Sequence, residues 1–343
     1  ICLARRGSQV RLLSPPPFKE LYMLENIKAK IKANGGFVNA HSHLDRANTA
    51  NSFTSKEKYM FLKEKWRLVD KIKKQSTQVD YENRINKALH EQVAFGVNQV
   101  CSFIDIDTIV GSKAISAAYN VANYDWLKGQ TNLIIATQTL KGVLNSEQSS
   151  LLLSNIHKAD IIGSLPGADK GRESQHLDFV MKLAKEHNKR LHVHVDQLNT
   201  NREKETELLA RKTIQWGMED KVTAVHSISL ACHPKYYRQE VYSMSRDAGL
   251  SFVACPSAWI DHPRREELAP IHNSITPVDE LIENNLTVAI GSDNIHDVYK
   301  PYCDGDMMFE LRMLLEACKI YDEDELVKIA TVNGRKILTH NRR

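Results

Sequence analysis

Short apolar runs alternate with longer amphipathic segments along most of this 343-residue sequence. Segments such as ENRINKALHEQVAFG and TELLARKTIQWG place apolar residues three and four positions apart, which is typical of amphipathic helices. Near-continuous apolar strands joined by helices predict a parallel sheet covered by helices. About eight such units predict an α/β fold closed into a (β/α)8 TIM barrel. The strand-like runs are residues 35–41, 98–105, 132–138, 160–166, 189–195, 221–227, 250–256 and 286–292.

An open, doubly wound sheet is the alternative architecture for the same alternation. Its dinucleotide-binding members carry a glycine-rich loop after the first strand, and this sequence has none there. The barrel is therefore favoured. We assign it to residues 35–343 and treat residues 1–34, which contain the Pro15–Pro17 run, as an N-terminal extension or linker.

Charge and cysteine usage exclude several classes of protein. The net charge is only +4 and no basic stripe is present, so we expect no nucleic-acid partner. Lys71, Lys73 and Lys74 lie on helical periodicity and are interpreted as a solvated face. No C-x-x-C pair and no apolar run of membrane-spanning length occurs. We expect a cytoplasmic protein with a small-molecule substrate and no membrane partner, and self-association stays open.

Five polar residues fall where predicted strands end. In an extended segment positions i and i+2 point to the same side, so His41 and His43 can face one ion. The carboxyl ends of barrel strands carry the catalytic groups. Three imidazoles and a carboxylate suit a divalent metal with room for a water. The five residues are His41 and His43 on strand one, His194 on strand five, His226 on strand six and Asp293 on strand eight.

Some histidines leave a choice open. His192 and His194 share one side of strand five, and the position of His194 nearer the strand end favours it as the ligand. Histidines on the remaining helices and loops are expected to be structural. His262 and His296 are exceptions, since the loops after strands seven and eight overhang the pocket.

Four stretches of the sequence resemble the amidohydrolase superfamily, in particular its cytosine deaminase branch. They are NAHSHLD, LHVHVDQ, VTAVHS and IGSDNIHDVYKPYCDGDMM, and the last is also similar to N-isopropylammelide amidohydrolases. The resemblance extends from about Gly36 to Leu338. Superfamily members usually add a small β-sandwich, for which little chain follows Leu338, so we expect the sandwich to be absent or rudimentary.

The resemblance implies one divalent ion, Zn²⁺ or Fe²⁺ with Mn²⁺ as a further option. A second ion in this superfamily usually needs a lysine at the end of strand four, where IIGSLPG offers none and Lys170 comes a few residues late. The ion would lower the pKa of its bound water and supply a hydroxide nucleophile. The implied ligands are His41, His43, His194 and Asp293.

Two residues are the expected catalytic groups beside the ion. Asp293 would take the proton of the nucleophile and pass it to the leaving nitrogen, and His226 would stabilise charge near the attacking oxygen. The substrate contacts we assign are Gln138, at the end of strand three, together with Gln197 and Asn294.

The sequence departs from the branch at two positions. Deaminases carry a glutamate three residues after the strand-five histidine, where this chain has Gln197, and an amide cannot shuttle a proton. Phe103 replaces a histidine of strand two, in CSFIDID. Asp105 and Asp107 follow it, either as a helix cap or as binding residues.

These residues favour a metal-dependent hydrolase of non-peptide C–N bonds that acts on a small cyclic amine or amide. The specific activity that we predict is that of a nitrogen-heterocycle aminohydrolase. The alternative is a non-catalytic, metal-binding barrel, because Gln197 replaces the glutamate. A metal-free barrel isomerase is disfavoured, since the IGSDN stretch is too acidic for a phosphate-binding loop.

Overall fold

The computed structural model describes residues 19–260 and 273–339. Its strands form one parallel sheet in the order β1 to β8, each strand pairing with the next along the chain. The predicted (β/α)8 barrel is confirmed. The strands are β1 (Phe37–Ser42), β2 (Val97–Asp105), β3 (Asn132–Gln138), β4 (Ile161–Ser164), β5 (Arg190–Val195), β6 (Val222–His226), β7 (Ser251–Ala254) and β8 (Thr287–Ile290).

The barrel closes between its first and last strands at the carboxyl ends. The backbone N–H of Asp293 donates to the carbonyl of His41 at 2.9 Å, and the N–H of His43 donates to the carbonyl of Asp293 at 3.1 Å. Ser42 and Asp293 form a parallel bridge. The closure therefore fixes three of the predicted metal ligands against one another.

Helices surround the barrel and follow its strands. The helices are α1 (Lys19–Ala33), α2 (Ser55–Lys58), α3 (Leu62–Gln75), α4 (Gln78–Ala94), α5 (Lys113–Val121), α6 (Ser146–Asn155), α7 (Glu173–Glu186), α8 (Glu205–Trp216), α9 (Lys235–Asp247), α10 (Val278–Glu283), α11 (Met307–Cys318), α12 (Glu323–Ala330) and α13 (Val332–Leu338). None of them, over the residues that the structure describes, is long and apolar enough to cross a membrane.

The interior of the barrel is filled largely by aliphatic side chains and by the ring of Phe103. Ala136, Val253 and Ala289 are fully buried there, together with Phe103. Gly163 makes room for that ring, because a Cβ at this position would lie 2.5 Å from Cε1 of Phe103. The ring of Phe103 thus fills the barrel interior beneath the carboxyl ends of the strands.

Helix α1 precedes the barrel and packs on its outer layer. Ile27 and Ile31 are buried in the main hydrophobic core. Nζ of Lys30 lies 2.8 Å from Asp324 and 3.0 Å from Glu323 on α12. Residues 19–33, within the predicted extension, are therefore a docked helix, and a domain boundary at residue 34 stays a prediction.

An insertion between β1 and α4 covers the carboxyl end of the barrel. Helix α2 begins with a capping box in which Thr54 and Glu57 bond each other's backbone N–H groups. The buried side chains of α3, Leu62, Val69 and Ile72, form a separate apolar cluster with Phe53, Val298 and Tyr299. The insertion therefore rests on the loop that follows β8.

Candidate metal centre and substrate cavity

The five predicted polar residues come together at the carboxyl end of the barrel. Their side chains are almost completely buried, with exposed fractions between 0% and 4%. One ligand atom from each of His41, His43 and His194 lies within 4.8 Å of the others, and the same holds for His41, His226 and Asp293. His226 thus lies within the same distance limit of two predicted ligands, His41 and Asp293.

The carboxylate of Asp293 faces two imidazoles. Its Oδ1 lies 3.3 Å from Nε2 of His41 and 3.2 Å from Nε2 of His43. The ring centroids of His41 and His194 are 4.7 Å apart, and those of His194 and His226 are 5.3 Å apart. The candidate ligand atoms at the ends of these four strands therefore face one small volume.

Several of these nitrogen atoms are buried without a hydrogen-bond partner among the described residues. They are both ring nitrogens of His41, Nδ1 of His43, Nε2 of His194 and Nδ1 of His226. Nε2 of His41 lies near Asp293 but not in hydrogen-bond geometry. Buried polar atoms are nearly always hydrogen-bonded, so each exception requires an explanation such as an ion. Neutral imidazoles and a carboxylate are ligands that zinc and ferrous iron accept. The donor set therefore fits a divalent metal.

Burial sets the protonation of these groups. Burial lowers the pKa of His41, and it lowers the pKa of His43 and His194 well below the ordinary value. It lowers the pKa of His226 to about 3. Burial opposes ionisation of Asp293, but its contacts with His41 and His43 hold its pKa well below the usual range. At neutral pH the cluster consists of neutral imidazoles and a carboxylate, the forms that bind metal.

Two of these residues have an uncommon backbone conformation. His226 has a φ of 76° and Asp293 a φ of 58°, in the left-handed region that non-glycine residues seldom adopt. Such strain persists where surrounding structure holds it, and it concentrates at functional sites. Both residues turn out of the strand direction where β6 and β8 end.

His194, and not His192, lies among the candidate metal ligands. His192 Nε2 donates to the carbonyl of Ile337 at 3.2 Å and lies outside the two ligand groups. His194 Nδ1 instead contacts the carbonyl of Ser164 at 3.3 Å, which leaves Nε2 toward the cluster.

A narrow cavity of about 20 Å³ opens above the cluster. This is room for one or two water molecules, since one needs about 10–15 Å³. The three predicted substrate contacts, Gln138, Gln197 and Asn294, all line it. Its remaining lining residues are His43, Arg46, Leu62, Trp66, Leu140, Leu165, His194, His226, Asp293 and Tyr299.

A larger cavity of about 400 Å³ lies next to the first. Trp66, Leu165 and Gln197 line both cavities and therefore separate them. Lys170, the late lysine after strand four, lines this outer cavity. His296 lines neither cavity, and His262 lies outside the described residues.

Arg46 is a cavity residue that sequence reasoning missed. It is only 5% exposed, its Nε donates to Oδ1 of Asn294 at 3.1 Å, and its Nη1 has no hydrogen-bond partner among the described residues. Its guanidinium lies 5.0 Å from the ring centre of Tyr299. A signal existed, because Arg46 follows His43 by three residues in the turn after β1.

The interpretation of Lys71, Lys73 and Lys74 as one solvated face is wrong for Lys73. Lys73 is 2% exposed, and its Nζ lies 3.0 Å from Asp105 and 2.5 Å from Asp107. Asp107 also accepts two backbone N–H groups of the following turn. The two aspartates at the end of β2 therefore anchor α3, and Asp107 also caps a turn.

The comparisons with known proteins agree with this geometry. The profile of the amidohydrolase family matches residues 57–332. An uncharacterized protein of Haemophilus influenzae is 40% identical over 263 residues, 75% of this chain and 94% of that protein. The N-isopropylammelide isopropyl amidohydrolase of a Pseudomonas strain is 26% identical over 296 residues, 82% of this chain and 69% of that protein.

A solved structure matches the fold closely. The 5-methylcytosine deaminase of Klebsiella pneumoniae, bound to 5-fluorocytosine, superposes with a TM-score of 0.81 and 23% identity over 88% of this chain and 74% of that chain. A parallel barrel with polar groups gathered at its carboxyl end is the architecture of a barrel enzyme. The chain belongs to the amidohydrolase family and is a hydrolase. The comparisons give no support to the non-catalytic alternative.

Proposed function

We propose that this protein hydrolyses a non-peptide C–N bond of a small nitrogen heterocycle, with one divalent metal ion at the end of the barrel. Zn²⁺ or Fe²⁺ is the proposed ion, and Mn²⁺ suits the same donors. The likeness to an N-isopropylammelide amidohydrolase and to a deaminase of a pyrimidine supports this substrate class. The proposed ligands are His41, His43, His194 and Asp293.

One observation carries the proposal. Ring nitrogens of His41 and His194 that make no hydrogen bond with the described residues lie buried beside the carboxylate of Asp293. An apolar core would not retain such atoms without a partner, because each costs about 1–3 kcal/mol when it is left unsatisfied. A bound cation removes that cost.

The ion, when bound, would make water a competent nucleophile at neutral pH. Asp293 is ionised, so its carboxylate can accept a proton from the nucleophile and deliver it to the leaving nitrogen. His226 stays neutral at the same pH and can donate one hydrogen bond to an oxygen that gains charge.

The cavity walls favour a ring that carries an amide edge. Oε1 of Gln138 is a buried acceptor and Nη1 of Arg46 a buried donor, and neither makes a hydrogen bond with the described residues. A lactam N–H and a ring carbonyl would satisfy such a pair. Gln197 cannot protonate a ring nitrogen, which favours a substrate that binds with its ring N–H already present and loses an exocyclic amine.

The test is amine release from a panel of amino-substituted pyrimidine and triazine lactams. Metal-loaded wild-type protein should release ammonia or an alkylamine from at least one of them. Asp293→Asn should lower kcat by about 10²- to 10⁴-fold, the usual range for a lost general acid–base group. Asp160→Asn is the matched control, because Asp160 is exposed, precedes β4 and lies outside the ligand groups, and its carboxylate accepts a backbone N–H of β3.

Two results would contradict the proposal. One is the absence of amine release from every member of the panel by protein that holds its metal. The other is turnover by Asp293→Asn equal to that of Asp160→Asn.

A further inference from the structure

A buried chain of hydrogen bonds links Ser164, His176 and Asp169 behind the metal centre. Oγ of Ser164 lies 2.6 Å from Nε2 of His176, and Nδ1 of His176 lies 2.7 Å from Oδ2 of Asp169. The side chains of Ser164 and His176 are fully buried, and Asp169 is 7% exposed. A carboxylate only accepts, so Nδ1 of His176 carries a proton, and in a neutral ring Nε2 then accepts from the hydroxyl of Ser164.

This order of groups matches the serine, histidine and aspartate of many hydrolases. A nucleophilic serine must, however, reach a substrate beside donors that stabilise an oxyanion. Ser164 is 0% exposed and lines neither of the two cavities. The chain therefore serves a purpose other than covalent catalysis.

The carbonyl of Ser164 connects the chain to the metal centre. Ser164 ends β4, and its carbonyl contacts Nδ1 of His194 at 3.3 Å on the neighbouring strand. A proton on Nδ1 leaves Nε2 of His194 unprotonated, with its lone pair available to an ion. Metal-binding histidines commonly donate their second nitrogen to a carbonyl in this way, and that contact fixes both the tautomer and the ring orientation.

The far end of the chain is held rigidly. Oδ2 of Asp169 also accepts the backbone N–H of Val143 at 2.7 Å, from the loop after β3. Gly142, with a φ of 78°, packs so closely that a Cβ there would lie 2.4 Å from the Asp169 carboxylate. Ser164 is thus tied to α7 and to the β3 loop, and its carbonyl has little freedom to move.

We propose that Ser164, His176 and Asp169 are positioning residues that hold the Ser164 carbonyl against His194 and so present Nε2 of His194 to the metal. This inference rests on the proposed function, because it assumes that an ion binds there. It assigns a purpose to three buried polar residues that the hydrolytic reaction itself does not use.

The test compares zinc affinities by chelator competition in four purified variants. Ser164→Ala and His176→Leu should bind zinc about 10- to 100-fold more weakly than wild type, the usual loss for a partner that orients a ligand. His176→Gln keeps an acceptor for the Ser164 hydroxyl and should recover part of that loss. Thr213→Val is the control, because Thr213 is fully buried and its hydroxyl bonds the carbonyl of Leu209 within α8.

The absorption spectrum of the Co²⁺-loaded proteins is the second readout. Ser164→Ala should shift the cobalt bands, since the ring of His194 changes its orientation, and Thr213→Val should reproduce the wild-type spectrum. Thermal unfolding of the metal-free proteins identifies any variant that fails to fold. If either Ser164→Ala or His176→Leu fails to fold, the zinc affinity of the other one tests the proposal.

Four outcomes are distinguishable. Weaker zinc binding by Ser164→Ala alongside wild-type affinity in Thr213→Val supports the positioning role. Equal affinities in all variants, with one equivalent bound by wild type, overturn that role and leave the proposed function intact. Covalent labelling of Ser164 by a fluorophosphonate would also overturn it, whereas a wild type that binds no metal would overturn the proposed function itself.

Discussion

Replacing Lys73 by methionine should destabilise the protein strongly. Lys73 is 2% exposed and is paired with Asp105 and Asp107, which are 2% and 0% exposed. Methionine fills a similar volume, so the main effect is the loss of the charge. Both carboxylates then lose this cation, and breaking a buried ion pair from one side costs about 3–5 kcal/mol.

The measurement is urea unfolding, with Lys74→Met as the matched control. Lys74 is the next residue of α3 and is exposed, so its replacement should change the free energy of unfolding by less than about 0.5 kcal/mol. The double variant Lys73→Met/Asp107→Asn should recover about 0.5–3 kcal/mol relative to additivity, because the two residues are in contact.

The same variant should affect the substrate cavity. Nη1 of Arg46 lies 3.7 Å from Oδ1 of Asp105, the partner of Lys73. An uncompensated Asp105 should draw Arg46 toward itself and raise KM more than it lowers kcat. The reasoning is refuted if Lys73→Met unfolds at the same urea concentration as Lys74→Met.

Two further predictions concern pH and access. Burial and then the charge of Asp196 raise the pKa of Glu203 to about 7. The stability that protonated Glu203 contributes is therefore fully present below about pH 4.5 and is lost as pH rises through about 7. The free energy of unfolding of Glu203→Gln, relative to wild type, should therefore rise by about 2–3 kcal/mol from pH 5 to pH 8. Urea unfolding at the two pH values measures this rise, and a rise no larger than that of Glu207→Gln would refute the prediction. Trp66→Ala should join the cavities of about 20 and 400 Å³ and lower KM for ring substrates with bulky substituents; unchanged KM values would show that Trp66 does not limit access.

The barrel could be predicted because its signal is local. Each strand is a largely apolar run, and each run found in the sequence overlaps a strand of the sheet. His41, His43 and Asp293 could be placed because parallel strands bring their carboxyl ends to one face. His194 could be preferred to His192 because it lies nearer the carboxyl end of β5.

Other features depend on contacts between distant residues. The helical pattern alone predicts that Lys73 is solvated. Its buried ion pair depends on Asp107, which lies 34 positions away in the sequence. Ser164 and His176 carry no motif, since their roles arise when the end of β4 meets α7. The insertion over the barrel could not be placed either, because its apolar face matches the loop after β8 only once both are folded.

The most direct test of the metal centre is elemental analysis of purified protein, wild type against His194→Ala and His192→Ala. The two histidines lie two residues apart on β5 and are both buried, but only His194 belongs to the ligand group. The account predicts about one equivalent of zinc, iron or manganese in wild type and in His192→Ala, and its loss in His194→Ala. A wild type that stays empty after reconstitution, or a His194→Ala variant that keeps its ion, would contradict it.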